Sequence, residues 1–158
     1  MKAFLKARLV DPIARQLTQG VTPGALALAL ALGLTVGTLP VLGLTTLACA
    51  LAAAALRLNQ PAIQVANYAA YPLQLLLYIP FFQAGAWLFG APPLGLTVEG
   101  VRAGLAADLW GTMGKYAWAN VRAVGAWASV AVPVTLILFA VLRALLERLP
   151  AVPRTREP

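Results

Sequence analysis

The chain contains no histidine and a single cysteine, Cys49. The first absence removes the commonest metal ligand and the commonest general base. The second excludes an intramolecular disulfide, and Cys49 lies in an apolar run where it reads as a small packed hydrophobe. Charge is scarcer still. From Gln16 to Val98 the only charged side chain in 83 residues is Arg57. No Cys-x-x-Cys, phosphate-loop or His-Glu pattern occurs. Beyond the termini the carboxylates reduce to Glu99, Asp108 and Glu147. A paired-acid site needs two converging carboxyl groups, and Glu99 with Arg102 reads instead as a solvated helix pair. The expectation is a non-catalytic protein with no metal and no cofactor.

What remains is apolar. Of 158 residues, 61% are hydrophobic and 11% charged, against about 25% charged in an ordinary soluble domain. Crossing a bilayer takes about 20 apolar residues per helix. A charge at a helix centre costs at least ~2.5 kcal/mol there. The uncharged stretch therefore points to lipid as its solvent. The net charge of +7 could suggest nucleic acid, but the basic residues flank the apolar segments. Lys2, Lys6, Arg8 and Arg15 precede them, and Arg143, Arg148, Arg154 and Arg156 follow. This positive-inside pattern places both termini in the cytoplasm, with acidic lipid rather than nucleic acid as the partner. The expected location is a bacterial inner (cytoplasmic) membrane, crossed more than once.

Residues 1–20 read as a basic amphipathic interfacial segment, with Leu5, Leu9, Ile13 and Leu17 every fourth residue. Charges interrupt it too often for a signal peptide. Residues 21–149 read as one helical membrane domain. Its first unit, 21–57, opens with Thr22 as N-cap and Pro23 at the first helical position. A straight helix from Pro23 to Leu56 would run ~50 Å against a hydrocarbon core of ~30 Å. The expected break is Gly37-Thr38-Leu39-Pro40-Val41-Leu42-Gly43. Each half then spans only ~20 Å, so the pair is either a re-entrant hairpin or two short spans, and the hairpin is preferred. Ala25, Ala29, Gly33 and Gly37 recur by fours and form a slim packing stripe.

The second broken unit, 58–90, starts at Pro61 and breaks again at Tyr71-Pro72. Paired interrupted segments point to binding sites in transporters. Residues 98–122 hold most of the interior charge, interleaved with Trp110, Tyr116 and Trp118, and read as an interfacial region. Residues 123–142 form a clean transmembrane helix. Residues 150–158 read as a disordered tail. The fold class expected is an all-α integral membrane protein of two broken or re-entrant hairpin units plus a C-terminal transmembrane helix.

Arg57 is the sharpest candidate for binding, because a guanidinium suits phosphate bidentately. The alternative is a residue snorkelling at the cytoplasmic interface. Thr45 and Thr46, with Thr38, surround the first break, where a half-helix N-terminus could receive an anion or where the hydroxyls simply satisfy broken backbone. Asn59, Gln64, Asn67 and Gln74 are amides in apolar surroundings, which default to interhelical hydrogen bonding.

Several of these residues carry a resemblance. Pro23, Gly37, Pro40, Gly43, Thr45 or Thr46, Arg57-Leu58-Asn59, Pro61 and Pro72 follow in an order similar to the bacterial membrane family catalogued as domain of unknown function number two thousand and sixty-two. The resemblance covers roughly residues 19–90. Its most specific parts are Pro40–Gly43 and Arg57–Pro61. One departure is Tyr71-Pro72, where the family usually has Asn-Pro, with Asn67 one turn upstream. The resemblance implies an inner-membrane location, and some relatives fused to glycosyltransferase-type domains hint at lipid-linked sugar metabolism. The function expected is a module binding or positioning a phosphate-bearing lipid through Arg57, Asn59, Thr45, Thr46 and Asn67, or assisting a glycosyltransferase-type partner. The alternatives are a small transporter or channel, or an assembly subunit. Partners are membrane lipid and a second copy or another membrane subunit.

Overall fold

In a computed structural model the described residues are 22–92 and 97–148. The expected interfacial segment 1–20 and the tail 150–158 lie outside them, as does most of the loop after Pro92. Among the described residues there are six helices and no strand: α1 (Pro23–Val36), α2 (Thr45–Leu56), α3 (Gln60–Ala69), α4 (Tyr71–Leu88), α5 (Val98–Ala107) and α6 (Leu109–Arg148).

Local signals account for most boundaries. Thr22 caps α1 by accepting from Ala25 N at 3.2 Å, with Pro23 next. The chain leaves helical geometry between Val36 and Thr45, where Pro40 has no N–H to offer and Gly43 takes φ 83°. Asn59 caps α3 by accepting from Ala62 N at 2.8 Å, with Pro61 in its first turn. Pro72 sits in the first turn of α4 and Ala70 is the shared joint. Thr97 and Asp108 cap α5 and α6 in the same way.

Packing fixes how the short helices run. α1 and α3 are parallel, with Gly33 against Ile63 and Ala66, and Gly37 against Asn67 and Ala70. A Cβ on Gly33 would stand 2.6 Å from Ala66 Cβ and collide with the Ile63 carbonyl oxygen. The two backbones therefore nearly touch, as small-residue stripes permit. Ala29 and Gly33 of that stripe are buried, with Ala25 half-buried at its start. α2 is antiparallel to α3, since Gln60 reaches the carbonyl of Ala50 and Gln64 that of Thr46.

The second layer is α6, a single 40-residue helix about 60 Å long. The expected division between an interfacial region ending at 122 and a spanning helix starting at 123 falls inside it. Pro133 sits within the helix without ending it, and Thr135 Oγ1 donates to the nearby Ala131 carbonyl at 2.7 Å. α1 lies along α6 in the opposite direction. Thr38, just past the end of α1, meets Trp127, while Leu146 packs on the cluster that contains Leu26 near the start of α1. α4 presses on α6 so closely that Gly85 rests on the backbone of Arg122 and Ala123.

Candidate functional site

The polar side chains of the core gather around the break between α1 and α2. Thr35, Thr38, Thr45, Asn67 and Gln74 are all buried. Gln74, in the first turn of α4, donates to the Leu39 carbonyl at 2.7 Å. Trp127 Nε1 donates to Thr38 Oγ1 at 3.2 Å, and that hydroxyl donates in turn to the Thr35 carbonyl at 2.8 Å. The break is thus held from α4 through the Leu39 carbonyl and from α6 through the Thr38 hydroxyl. This is what a helix interruption away from water requires, because each unpaired buried polar group is costly.

A second set of amides ties α3 to α2. Gln60 Nε2 donates to the Ala50 carbonyl at 2.9 Å and Gln64 Nε2 to the Thr46 carbonyl at 3.0 Å. Asn67 Nδ2 donates to Thr46 Oγ1 at 3.4 Å and to Gln64 Oε1 at 3.3 Å. The donors recur by one turn on α3 and the acceptors by one turn on α2, so a single helix face carries the ladder. Among the described residues two buried side-chain atoms have no partner: Asn67 Oδ1 and Thr35 Oγ1.

The candidate residues therefore divide. Thr45, Thr46 and Asn67 come together at the start of α2. Arg57 and Asn59 stand at its other end, 11 residues along and so about 16 Å away. Arg57 is exposed and is the C-cap of α2 in the left-handed conformation, φ 53° and ψ 42°. It is the one non-glycine with positive φ among the described residues. Its neighbour Leu58 packs on the same cluster as Leu146, so Arg57, Arg143 and Arg148 stand toward one end of the bundle. The Asn59 side-chain oxygen is committed to its cap. Glu99 and Arg102 form no ion pair; among the described residues only Arg143 and Glu147 do, at 2.7 Å. No three His, Cys, Asp or Glu side chains among these residues come together in a way that could hold a metal ion.

Gln74 and Trp127 are the residues that sequence reading undervalued. Gln74 was legible only as an amide in apolar surroundings. Trp127 carries no local signal, since its partner is 89 residues away.

The outer surface is rich in large apolar side chains. Leu47, Leu51, Leu76, Trp87, Val132, Leu136 and Ile137 are among many large apolar side chains more than half exposed. α6 is long and apolar enough to cross a membrane, with mean hydropathy 2.3 over its most apolar window, and α1 and α2 are shorter apolar helices. The described residues thus define an all-helical protein with one helix that could cross a membrane by length and composition. The chain belongs to the bacterial family described as "Uncharacterized protein conserved in bacteria (DUF2062)", whose model matches residues 5–151. Comparison with curated proteins and with solved structures finds no match.

Proposed function

We propose that the chain is a non-catalytic integral membrane module that engages a phosphate-bearing lipid at its Arg57 end. The observation that carries the membrane reading is the outer surface, where leucine, valine, isoleucine and tryptophan side chains stand exposed around a core built mainly of alanine. Arg122 and Arg143 support it. They bracket 20 uncharged residues of α6, a length of ~30 Å that matches a hydrocarbon core. Arg57, Arg143 and Arg148 then lie on the cytoplasmic side, as the positive-inside rule requires.

The lipid reading rests on Arg57. A left-handed conformation costs an L-residue ~1–2 kcal/mol, and glycine is the usual occupant of such a helix end. An exposed arginine kept there, alone in its charge over a long apolar stretch, suits a phosphate headgroup at the interface. The separation of Arg57 from Thr45, Thr46 and Asn67 favours a headgroup contact at that end over one composite anion site. Native mass spectrometry of the protein released gently from its own membranes tests this. Wild type is expected to retain a phosphate-headed lipid that Arg57→Ala loses. A bare protein, or one carrying only another polypeptide, would move the reading to an assembly subunit.

A further inference from the structure

The hydrogen-bond ladder between α2 and α3 opens outward. Gln60 and Thr46 are exposed and Gln64 is half-buried, while Cys49, Ala53, Ala62 and Ile63 fill the core side of the same two helices. Around the ladder stand Leu47, Leu51, Val65 and Tyr68, all exposed. The ladder does not use up its own polar groups. Gln60 Nε2 donates to the Ala50 carbonyl, and a glutamine amide has a second N–H and an oxygen besides. Among the described residues the Gln60 oxygen accepts no hydrogen bond, and the Thr46 hydroxyl, which accepts from Asn67, donates none.

Depth gives these groups their importance. Ile63 and Ala66 meet Gly33 of α1. Just beyond Gly33, Thr35 and Val36 lie beside Ala131 and Val132 of α6. Ala131 is nine residues from Arg122 and twelve from Arg143. Gln64 therefore sits near the middle of the span, and Gln60 one turn, ~6 Å, closer to Arg57. Hydrocarbon offers no donor or acceptor at that depth.

We propose that the α2/α3 seam is where two copies of the chain meet, each satisfying the other's Gln60 amide. The proposal rests on the membrane reading above and not on the lipid at Arg57. The chemistry of the seam selects the occupant. Lipid tails have nothing to hydrogen-bond. A charged segment of another protein is disfavoured, because neither α2 nor α3 carries a charged residue to pair with it and ionised groups are costly at this depth. A neutral amide is donor and acceptor at once, so it pairs with a copy of itself about a two-fold axis. Such hydrogen bonds join helices within membranes. Leu47, Leu51, Val65 and Tyr68 flank the amides and pack as the copies close.

The test uses the full chain in membranes of a bacterial producing strain. Cys49→Ala removes the native thiol, and one cysteine is then placed by Leu51→Cys, Val65→Cys, Tyr68→Cys or, on the outer face of α6, Ile137→Cys. Oxidation with copper phenanthroline is expected to join seam variants into disulfide-linked pairs well ahead of Ile137→Cys. Gln60→Leu deletes the amide from both copies and should cut that crosslinking about tenfold. Ala54→Trp, exposed on α2, should abolish it by bulk with the thermal midpoint unchanged. Equal crosslinking at every position marks random collision and overturns the proposal. So do crosslinking unmoved by Gln60→Leu, and disulfides from the seam to a different polypeptide, which assign the face to another subunit. Seam cysteines that stay uncrosslinked and react with a membrane-soluble maleimide face lipid, and overturn it as well. All of these leave the membrane reading standing. A chain recovered outside the membrane fraction overturns both together.

Discussion

The α1/α3 interface and the outward face of α6 are both apolar, yet they are made from different residues. The interface uses Ala29, Gly33, Gly37, Ala62, Ile63 and Ala66, which bring two backbones nearly into contact. The outer face of α6 uses Ile137, Val141 and Leu145, each more than half exposed. Where lipid surrounds a bundle, burying a leucine against another helix gains little over leaving it in hydrocarbon. Close approach and hydrogen bonds must then choose the partner, and bulk is left for the solvent-facing side. The comparison predicts that small changes inside will matter more than large changes outside.

The largest effect is expected at Gly33. Gly33→Leu drives a side chain into the Ile63 carbonyl and Ala66, and overpacking of this kind costs ~3 kcal/mol or more when backbone must move. Thermal unfolding in detergent should show α1 and α3 separating well below the wild-type midpoint. An unchanged midpoint would mean that the two helices are not held by this contact.

Next comes the break. Gln74→Leu removes the side-chain donor to Leu39 O, which keeps the Val41 N–H at 2.8 Å, so the loss is that of one hydrogen bond, ~1 kcal/mol. Protease cleavage between Gly37 and Leu44 should accelerate accordingly. If cleavage there stays slow, the turn holds itself together without α4.

Arg57→Gly should act in the opposite direction. Glycine accepts the left-handed angles that Arg57 endures, and the relief should exceed the added freedom of the unfolded chain by ~0.5 kcal/mol. Retention of the phosphate-headed lipid should fall in the same variant. A gain in stability with lipid retained would separate the strain from the binding.

Much of this architecture was legible because it is local. Thr22-Pro23, Asn59 with Pro61, the interruption around Pro40 and the spacing of Ala29, Gly33 and Gly37 are all signals within one or two turns. Proline alone was a weaker guide. Pro40 lies where the helix ends, while Pro80 and Pro133 are carried inside α4 and α6. Pro40 stands between two glycines, in a break where Gln74 meets the Leu39 carbonyl and Trp127 the Thr38 hydroxyl, whereas Pro133 has no glycine within a turn of it. The candidate site was less legible. Arg57, Thr45, Thr46 and Asn67 look like one polar set along the chain, but α2 is a rigid spacer that holds Arg57 away from the other three. The contact of Trp127 with Thr38 is long-range, and no pattern of period or capping announces it.

The smallest effect is expected at Ile137, and it sharpens the comparison most. Ile137→Ala deletes three heavy atoms from a side chain 63% exposed. In a water-soluble core an isoleucine truncated to alanine loses ~2–5 kcal/mol. On a lipid-facing surface the chain neither leaves a cavity nor gives up a protein partner, so the change should stay within ~0.5 kcal/mol. Thermal midpoints of Ile137→Ala and Gly33→Leu, taken in the same detergent, give the contrast directly. Adding bulk inside should cost several times what removing bulk outside does. Comparable losses would mean that the outer face of α6 is covered by protein, and that the chain works as a subunit of a larger assembly.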